Sequence, residues 1–284
     1  MSQARTVFLL LPAFLLVGGV FLLPFLLLLV TGFWTQRPDS WIVEPTFTFE
    51  NYARLFTDPY FVTAFARTIW LSVLATLACL LLGFPVARWI ASGRPGKSLM
   101  ALLMLMPLVA GALLQTLGLV NLLSLLGVVN GALKSVGLID SSIRFLGTQL
   151  GVLIGLVQAF LPLMVLPLAT VLAKLPVAVE EAAMSLGASR FSVWRRIILP
   201  LSMPGIIAGS VLVFCASLTS FVTPQVLGQG RVPTFATIAY QQAALVLDWP
   251  FASALAVALL VILGAALGLV SLLKHKVLAR GVPA

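Results

Sequence analysis

Charge is what this sequence has least of. Of 284 residues only 9% are Asp, Glu, Lys or Arg, while 61% are hydrophobic and mean hydropathy is +1.14. Too few charges are available to solvate so much apolar surface, so composition excludes a water-soluble domain and implies an integral membrane protein. Cysteine is equally sparse. Cys79 and Cys215 each lie within an apolar run, where they read as small buried hydrophobes rather than a disulfide, a redox pair or metal ligands. The single histidine, His275, stands between two lysines and reads as part of a basic interfacial anchor. With no His/Cys/carboxylate cluster and no nucleophile–base pair, neither a metal site nor a catalytic site is expected. Carboxylates are also missing from the middle of the apolar runs. A charge near the bilayer centre costs at least ~2.5–3.5 kcal/mol and usually marks a proton relay, so its absence weakens an ATP-independent secondary transporter.

What the chain does have is apolar length. Runs over 7–33, 61–90, 99–118, 149–173, 205–227 and 249–273 each reach or exceed the ~20 residues that span a bilayer, which predicts an all-α protein of about six spans. The first run is longer than a secretory signal core and lacks a small-residue cleavage site, so it is expected as a retained helix. The natural division is an N-terminal helix with its extramembrane segment over 1–62, and a core of five spans over 63–284. Positions 34–62 and 228–247 read as polar-tinged outer segments, 91–98 as a tight basic loop and 274–284 as a basic tail. In 121–147 the polar positions Asn121, Ser124, Gly131 and Ser135 recur at helical spacing, which fits an amphipathic helix at the interface better than a span, with a short re-entrant piece as the alternative.

Between the fourth and fifth runs lies the one long polar interruption with a helical pattern of its own, within 174–203. Pro176 suits the first turn of a helix, with Glu180 and Glu181 near its positive end. Gly187 supplies a left-handed stop. Ser189 can cap a second helix over 191–199 that carries Arg195 and Arg196 and stops before Pro200. The reading is two short helices with a sharp turn between them, a rigid charged elbow outside the membrane.

The spacing within this elbow carries a resemblance. Glu181-Ala182-Ala183, then three residues, Gly187, then nine residues and Ile197-Ile198-Leu199-Pro200 resembles the EAA signature of permease subunits of bacterial ABC importers. The wording at 220–228 and 248–256 is similar to spermidine/putrescine-type permeases, and the likeness is strongest from Gly147 to Leu273. The resemblance implies a type I ABC importer permease fold in the bacterial inner membrane, with Glu180, Glu181, Ala182, Ala183, Gly187, Ile197, Leu199 and Pro200 forming a coupling helix for a cytoplasmic ATPase. It implies as partners an ABC ATPase dimer, a second and different permease chain, and an extracytoplasmic solute-binding protein. ATP and Mg would sit on the ATPase and no cofactor on this chain. Ferric iron or an aminophosphonate remains the alternative cargo, because Thr219-Ser220 stands where polyamine-type relatives often carry an acid.

Orientation is read independently. Placing the elbow in the cytoplasm puts eleven of the 17 Lys and Arg on that side, among them Arg88, Lys97, Lys174, Arg195 and Arg196. Only Glu180 and Glu181 of the acids go with them. Short loops rich in Lys and Arg stay inside, so both termini are expected in the cytoplasm. The net charge of +9 is thereby accounted for by membrane topology, and lipid rather than nucleic acid is the expected surrounding. For the path through the membrane the candidates are polar or aromatic side chains within spans: Gln115, Gln158, Thr219, Ser220, Phe221 and Gln225, with Tyr240 near the outer side. Taken singly, such side chains commonly just bond a neighbouring helix. The group at 217–225 stands out because Pro224 is expected to free backbone groups that avoid lipid.

Overall fold

The computed structural model describes residues 16, 18–20, 22–37, 42–93 and 95–278. Arg5, Arg94, Arg280 and Asp39, and the start of the first expected span over 7–15 with positions 17 and 21, lie outside them. Within that run, 22–31 is helical (α1). Five helical segments are long and apolar enough to cross a bilayer: Pro59–Ala91, Ala112–Ser135, Gln149–Leu172, Arg190–Thr219 and Trp249–Gly268. Many of their Leu and Val side chains are exposed, Leu81, Leu82, Leu113 and Val261 among them, as lipid-facing residues must be. The all-α membrane architecture expected from composition is therefore present.

The described residues group into two compact units. One combines the described part of Met1–Thr63 with Ile238–Ile262. It holds α1, a small antiparallel ribbon of β1 (Thr35–Gln36) and β2 (Val43–Glu44), and α2 (Glu50–Thr57). The Gln36 amide ties this ribbon to the chain before the last span, donating to Leu247 O at 2.8 Å and accepting from Trp249 N at 3.1 Å. Arg54 lies 4.4 Å from the Phe251 ring centre and 3.7 Å from Asp248, so one guanidinium meets an aromatic face and a carboxylate together.

The larger unit comprises the described parts of Ala64–Thr237 and Leu263–Ala284. Most of α3 (Pro59–Ala91) lies in it, followed by α4 (Lys97–Ala110), α5 (Ala112–Leu123), α6 (Val128–Ser135) and α7 (Gln149–Leu172). Next come α8 (Val177–Ser185), α9 (Arg190–Val193), α10 (Leu199–Thr219) and α11 (Val222–Leu227), and the start of α12 (Phe235–Gln241). The end of α13 (Trp249–Leu278) returns to it. At its centre α7 packs on α10 through Gly205 and Gly209, which sit one above the other on α10. A Cβ at Gly209 would lie 2.7 Å from Met164 Sδ, and one at Gly205 would lie 3.0 Å from Leu168 Cα. Lipid tails are as apolar as leucine, so helices associate by this close approach of backbones rather than by hydrophobic driving force. Three buried hydroxyls are satisfied within their own helical stretch: Thr68, Ser72 and Ser202 each donate to the carbonyl four residues back. Thr68 Oγ1 also accepts from Phe235 N at 2.9 Å, and Arg67 Nη1 donates to Pro233 O at 3.2 Å.

Four expectations need correction. The third span is broken at Gly111, whose φ of +75° and ψ of 144° suit glycine and separate α4 from α5. At 1.5 Å per residue neither α4 nor α5 alone crosses ~30 Å of hydrocarbon; the length of Ala112–Ser135 is reached only by counting α6 beyond the turn at 124–127. The segment 121–147 is not one amphipathic helix. α5 ends at Leu123, a turn covers 124–127 and α6 follows, with buried Asn130 cinching the return. Its Nδ2 donates to Ser124 O and Ile143 O at 3.0 Å each, and its Oδ1 accepts from Ile143 N at 2.8 Å. The segment 228–247 contains α12 and a π-helical turn, Gln242–Val246. Finally, the second elbow helix does not stop before Pro200. A π-helical turn over Trp194–Ile198 carries α9 directly into α10, with Leu199 N bonding back five residues to Trp194 O. Pro200 then falls in the first turn of α10, where its missing N–H is tolerated. The fifth span accordingly ends at Thr219 rather than 227, and α11 is a separate short helix.

Candidate functional site: a charged elbow and a polar junction

The elbow starts where α7 ends. Pro176 caps α8 with an extended backbone, and Glu180 lies in its first turn, near the helix's positive end. At the other end the chain turns back through a complete Schellman closure. Gly187 N donates to Met184 O at 3.0 Å and Ala188 N to Ala183 O at 3.1 Å, with Gly187 at φ +86°. Nothing lies within 4 Å of where a Gly187 Cβ would be, so backbone conformation alone requires glycine there. Ser189 then caps α9 as expected, its Oγ accepting from Ser192 N at 3.2 Å.

This geometry sorts the signature residues by direction. Ala183, Ala188, Val193, Ile197 and Ile198 turn inward to a core shared with Ala87 of α3 and Val165, Leu168 and Leu172 of α7. Glu181 and Ala182 lie on the outer side, with Leu186 89% and Phe191 67% exposed beside them. Phe191 stacks on Trp194, ring centres 6.2 Å apart. Leu199 is half-buried and Pro200 exposed. The outward surface is thus a carboxylate beside bare apolar side chains. Glu180 does not belong to that surface: its Oε2 accepts from Arg88 Nη2 of α3 at 2.9 Å. The pair borders a cavity of about 420 Å³ between the end of α3, the end of α7 and α8.

The expected path residues divide between the two units. Gly155 of α7 faces Thr223 and Leu227 of α11 and Leu119 of α5, so these three helices meet at one junction. Gln115 lies one turn from Leu119, Gln158 one turn from Gly155, and Gln225 between Thr223 and Leu227. Gln115 Oε1 and Gln158 Oε1 are buried without a hydrogen-bond partner, as is Ser217 Oγ near the end of α10. Gln115 Nε2 donates to Pro107 O, and Thr219 Oγ1 to Cys215 O at 2.9 Å. The helical break falls at Ser220 and Phe221, before Pro224. Pro224 sits in the first turn of α11 and frees no carbonyl, so its expected role is corrected. Tyr240 is on α12, in the other unit, and is exposed. Among the described residues no cluster of His, Cys, Asp or Glu could hold a metal ion.

Sequence reasoning missed Arg88 as an elbow residue, Asn130 and the Gly205–Gly209 pair. The last was readable, since two glycines four apart in an apolar helix mark a close helix contact.

Residues 80–282 match the family model described as binding-protein-dependent transport system inner membrane component. The chain belongs to that family. The match takes in the elbow and both glycine contacts, and it makes the chain a multi-pass inner-membrane component of a binding-protein-dependent transporter. The chain is 37% identical over 244 residues to the spermidine/putrescine transport system permease protein PotB of Escherichia coli, covering 85% of this chain and 88% of that one. It is 35% identical to PotB of Haemophilus influenzae, over 85% and 84% of the two chains. A crystal structure of a bacterial alginate ABC transporter, in complex with its alginate pentasaccharide-bound periplasmic protein, matches at a TM-score of 0.77 and 19% identity. It covers 99% of this chain and 97% of the other, and this likeness carries the permease fold.

Proposed function

We propose that this chain is the permease subunit of an ATP-driven importer of linear polyamines such as spermidine and putrescine. The observation that carries this reading is the 37% identity to a spermidine/putrescine permease sustained over 85% of the chain. The elbow supports the coupling half of the proposal. Glu181, Ala182, Leu186 and Phe191 form the exposed face that docks on a cytoplasmic ATPase, which binds ATP and Mg, while Ala183, Gly187, Ile197, Leu199 and Pro200 set its shape. The elbow side and both termini are then cytoplasmic, which agrees with the bias of Lys and Arg. A second, different permease chain completes the path and a periplasmic binding protein delivers the cargo.

The path runs past the junction of α5, α7 and α11. A polyamine offers N–H donors, and Gln115 Oε1, Gln158 Oε1 and Ser217 Oγ are buried acceptors lacking partners. Neutral oxygens hold an ammonium less firmly than a carboxylate would, which suits a group that must release its cargo. Thr219, Ser220, Phe221 and Gln225 border the same stretch, and Tyr240 belongs to the other unit.

The test is uptake of radiolabelled putrescine and spermidine by cells lacking the protein, with and without its restoration. Uptake that returns with the wild type supports the reading. Uptake that never depends on the protein overturns the polyamine assignment.

A further inference from the structure

We infer that Arg88 and Glu180 form a strut through which the elbow moves the cytoplasmic end of α3, a role that rests on the ATP-coupled reading above. The two charges come from elements 92 positions apart, yet their side chains meet at 2.9 Å and both are part-buried. The cavity of about 420 Å³ beside them is lined by Pro85, Arg88, Trp89, Leu172, Leu175 and Glu180. On this side α3 and α8 are therefore separated by a gap, and the ion pair bridges it. One turn before Arg88, Pro85 removes a helix hydrogen bond from α3 and provides a bending point. Past it, Val86, Ala87, Ile90 and Ala91 pack with Ala183, Ala188 and Val193 of the elbow. The last turns of α3 and the elbow are thus one body, joined by packing on one side and by Arg88–Glu180 on the other.

The far end of this part of α3 is also fastened. Arg67 and Thr68 bond the backbone at Pro233 and Phe235, in the segment leading to α12. About 21 residues separate Arg67 from Arg88, or about 32 Å of helix. A displacement of the elbow changes the bend of α3 at Pro85 and is passed along the rest of the helix toward that segment. Glu181, which faces outward, acts differently. It meets the ATPase, whereas Glu180 transmits within the permease.

The experiment uses the full transporter in proteoliposomes and reads two quantities separately: copurification of the ATPase, and solute transported per ATP hydrolysed. Glu180→Gln and Arg88→Ala should each leave copurification unchanged and lower transport per ATP by up to about fivefold, the size of a half-exposed ion pair acting on a two-state equilibrium. The double exchange Arg88→Glu with Glu180→Arg should recover most of the loss. Recovery separates a strut from a simple need for arginine at 88. Single variants that keep full coupling overturn the strut, as does an exchanged pair no better than either single variant. If Arg88→Ala fails to insert, Glu180→Gln and the exchanged pair decide alone. Wild-type protein that copurifies no ATPase instead overturns the coupling reading itself.

Discussion

The elbow over 176–200 and the segment 97–147 both reverse the chain outside long helices, but they are held in different ways. In the elbow, each turn is fixed by a neighbour within five positions: Pro176 before α8, Gly187 closing it, Ser189 opening α9. Around Gly187 the space is open. In 97–147 the shape depends on one helix break inside a uniformly apolar run and on a buried amide that reaches 13 positions ahead. The first region is locally determined and presents a surface; the second is held from inside. Changes in the elbow should therefore be felt in coupling, and changes in the second region in stability.

Four substitutions test that contrast. Gly187→Val has the largest expected effect on transport. A β-branched residue at φ +86° costs roughly 1–2 kcal/mol of backbone strain, which reshapes the docking turn while the spans stay intact. Polyamine uptake should be lost with membrane insertion unchanged; normal uptake by inserted protein would count against the elbow's role. Asn130→Ala removes three hydrogen bonds and orphans the Ile143 N–H, a loss of roughly 3 kcal/mol. Protease cleavage within 124–143 should rise sharply, and cleavage at the wild-type rate would show that the amide is dispensable. Gly111→Ala places a side chain at a φ of +75° and ψ of 144°, costing about 2 kcal/mol. It should lower the midpoint of thermal inactivation in detergent while transport per ATP stays constant; a coupling defect would erase the distinction drawn between the regions. Ser189→Ala is the mildest, at about 1 kcal/mol for a lost helix cap. Transport per ATP should fall slightly with no change in the inactivation midpoint.

The same contrast explains what is legible in the sequence. Composition and run length are enough for the membrane class and for the approximate number of spans. The elbow is legible because glycine, serine and proline act on their immediate neighbours. Its continuation is not: a proline at 200 reads as a stop unless the preceding turn is π-helical, and that depends on how Val193 and Ile198 pack. Gly111 is hidden because glycine is common in membrane helices, and only its dihedral angles distinguish a break from a contact. Glu180 and Glu181 look alike in sequence because they are adjacent. On a helix adjacent residues point about 100° apart, so one carboxylate reaches Arg88 while the other faces out. Gln115 and Gln158 stand out in sequence only as polar residues within spans. Their unpartnered oxygens, which set them apart from ordinary packing residues, are visible only once α5, α7 and α11 are assembled.

The π-helical turn at Trp194–Ile198 holds one more residue than an α-helical turn would. Each residue advances an α-helix by about 100°, so that surplus sets the azimuth at which the elbow leaves α10. Deleting a single residue from the turn would straighten the helix and swing Glu181, Leu186 and Phe191 about a quarter-turn around the helix axis, by that same 100° step, with α8 and its closing turn unchanged in sequence. The bearing of the outward face over Glu181, Leu186 and Phe191 is set by five residues that follow it in the chain.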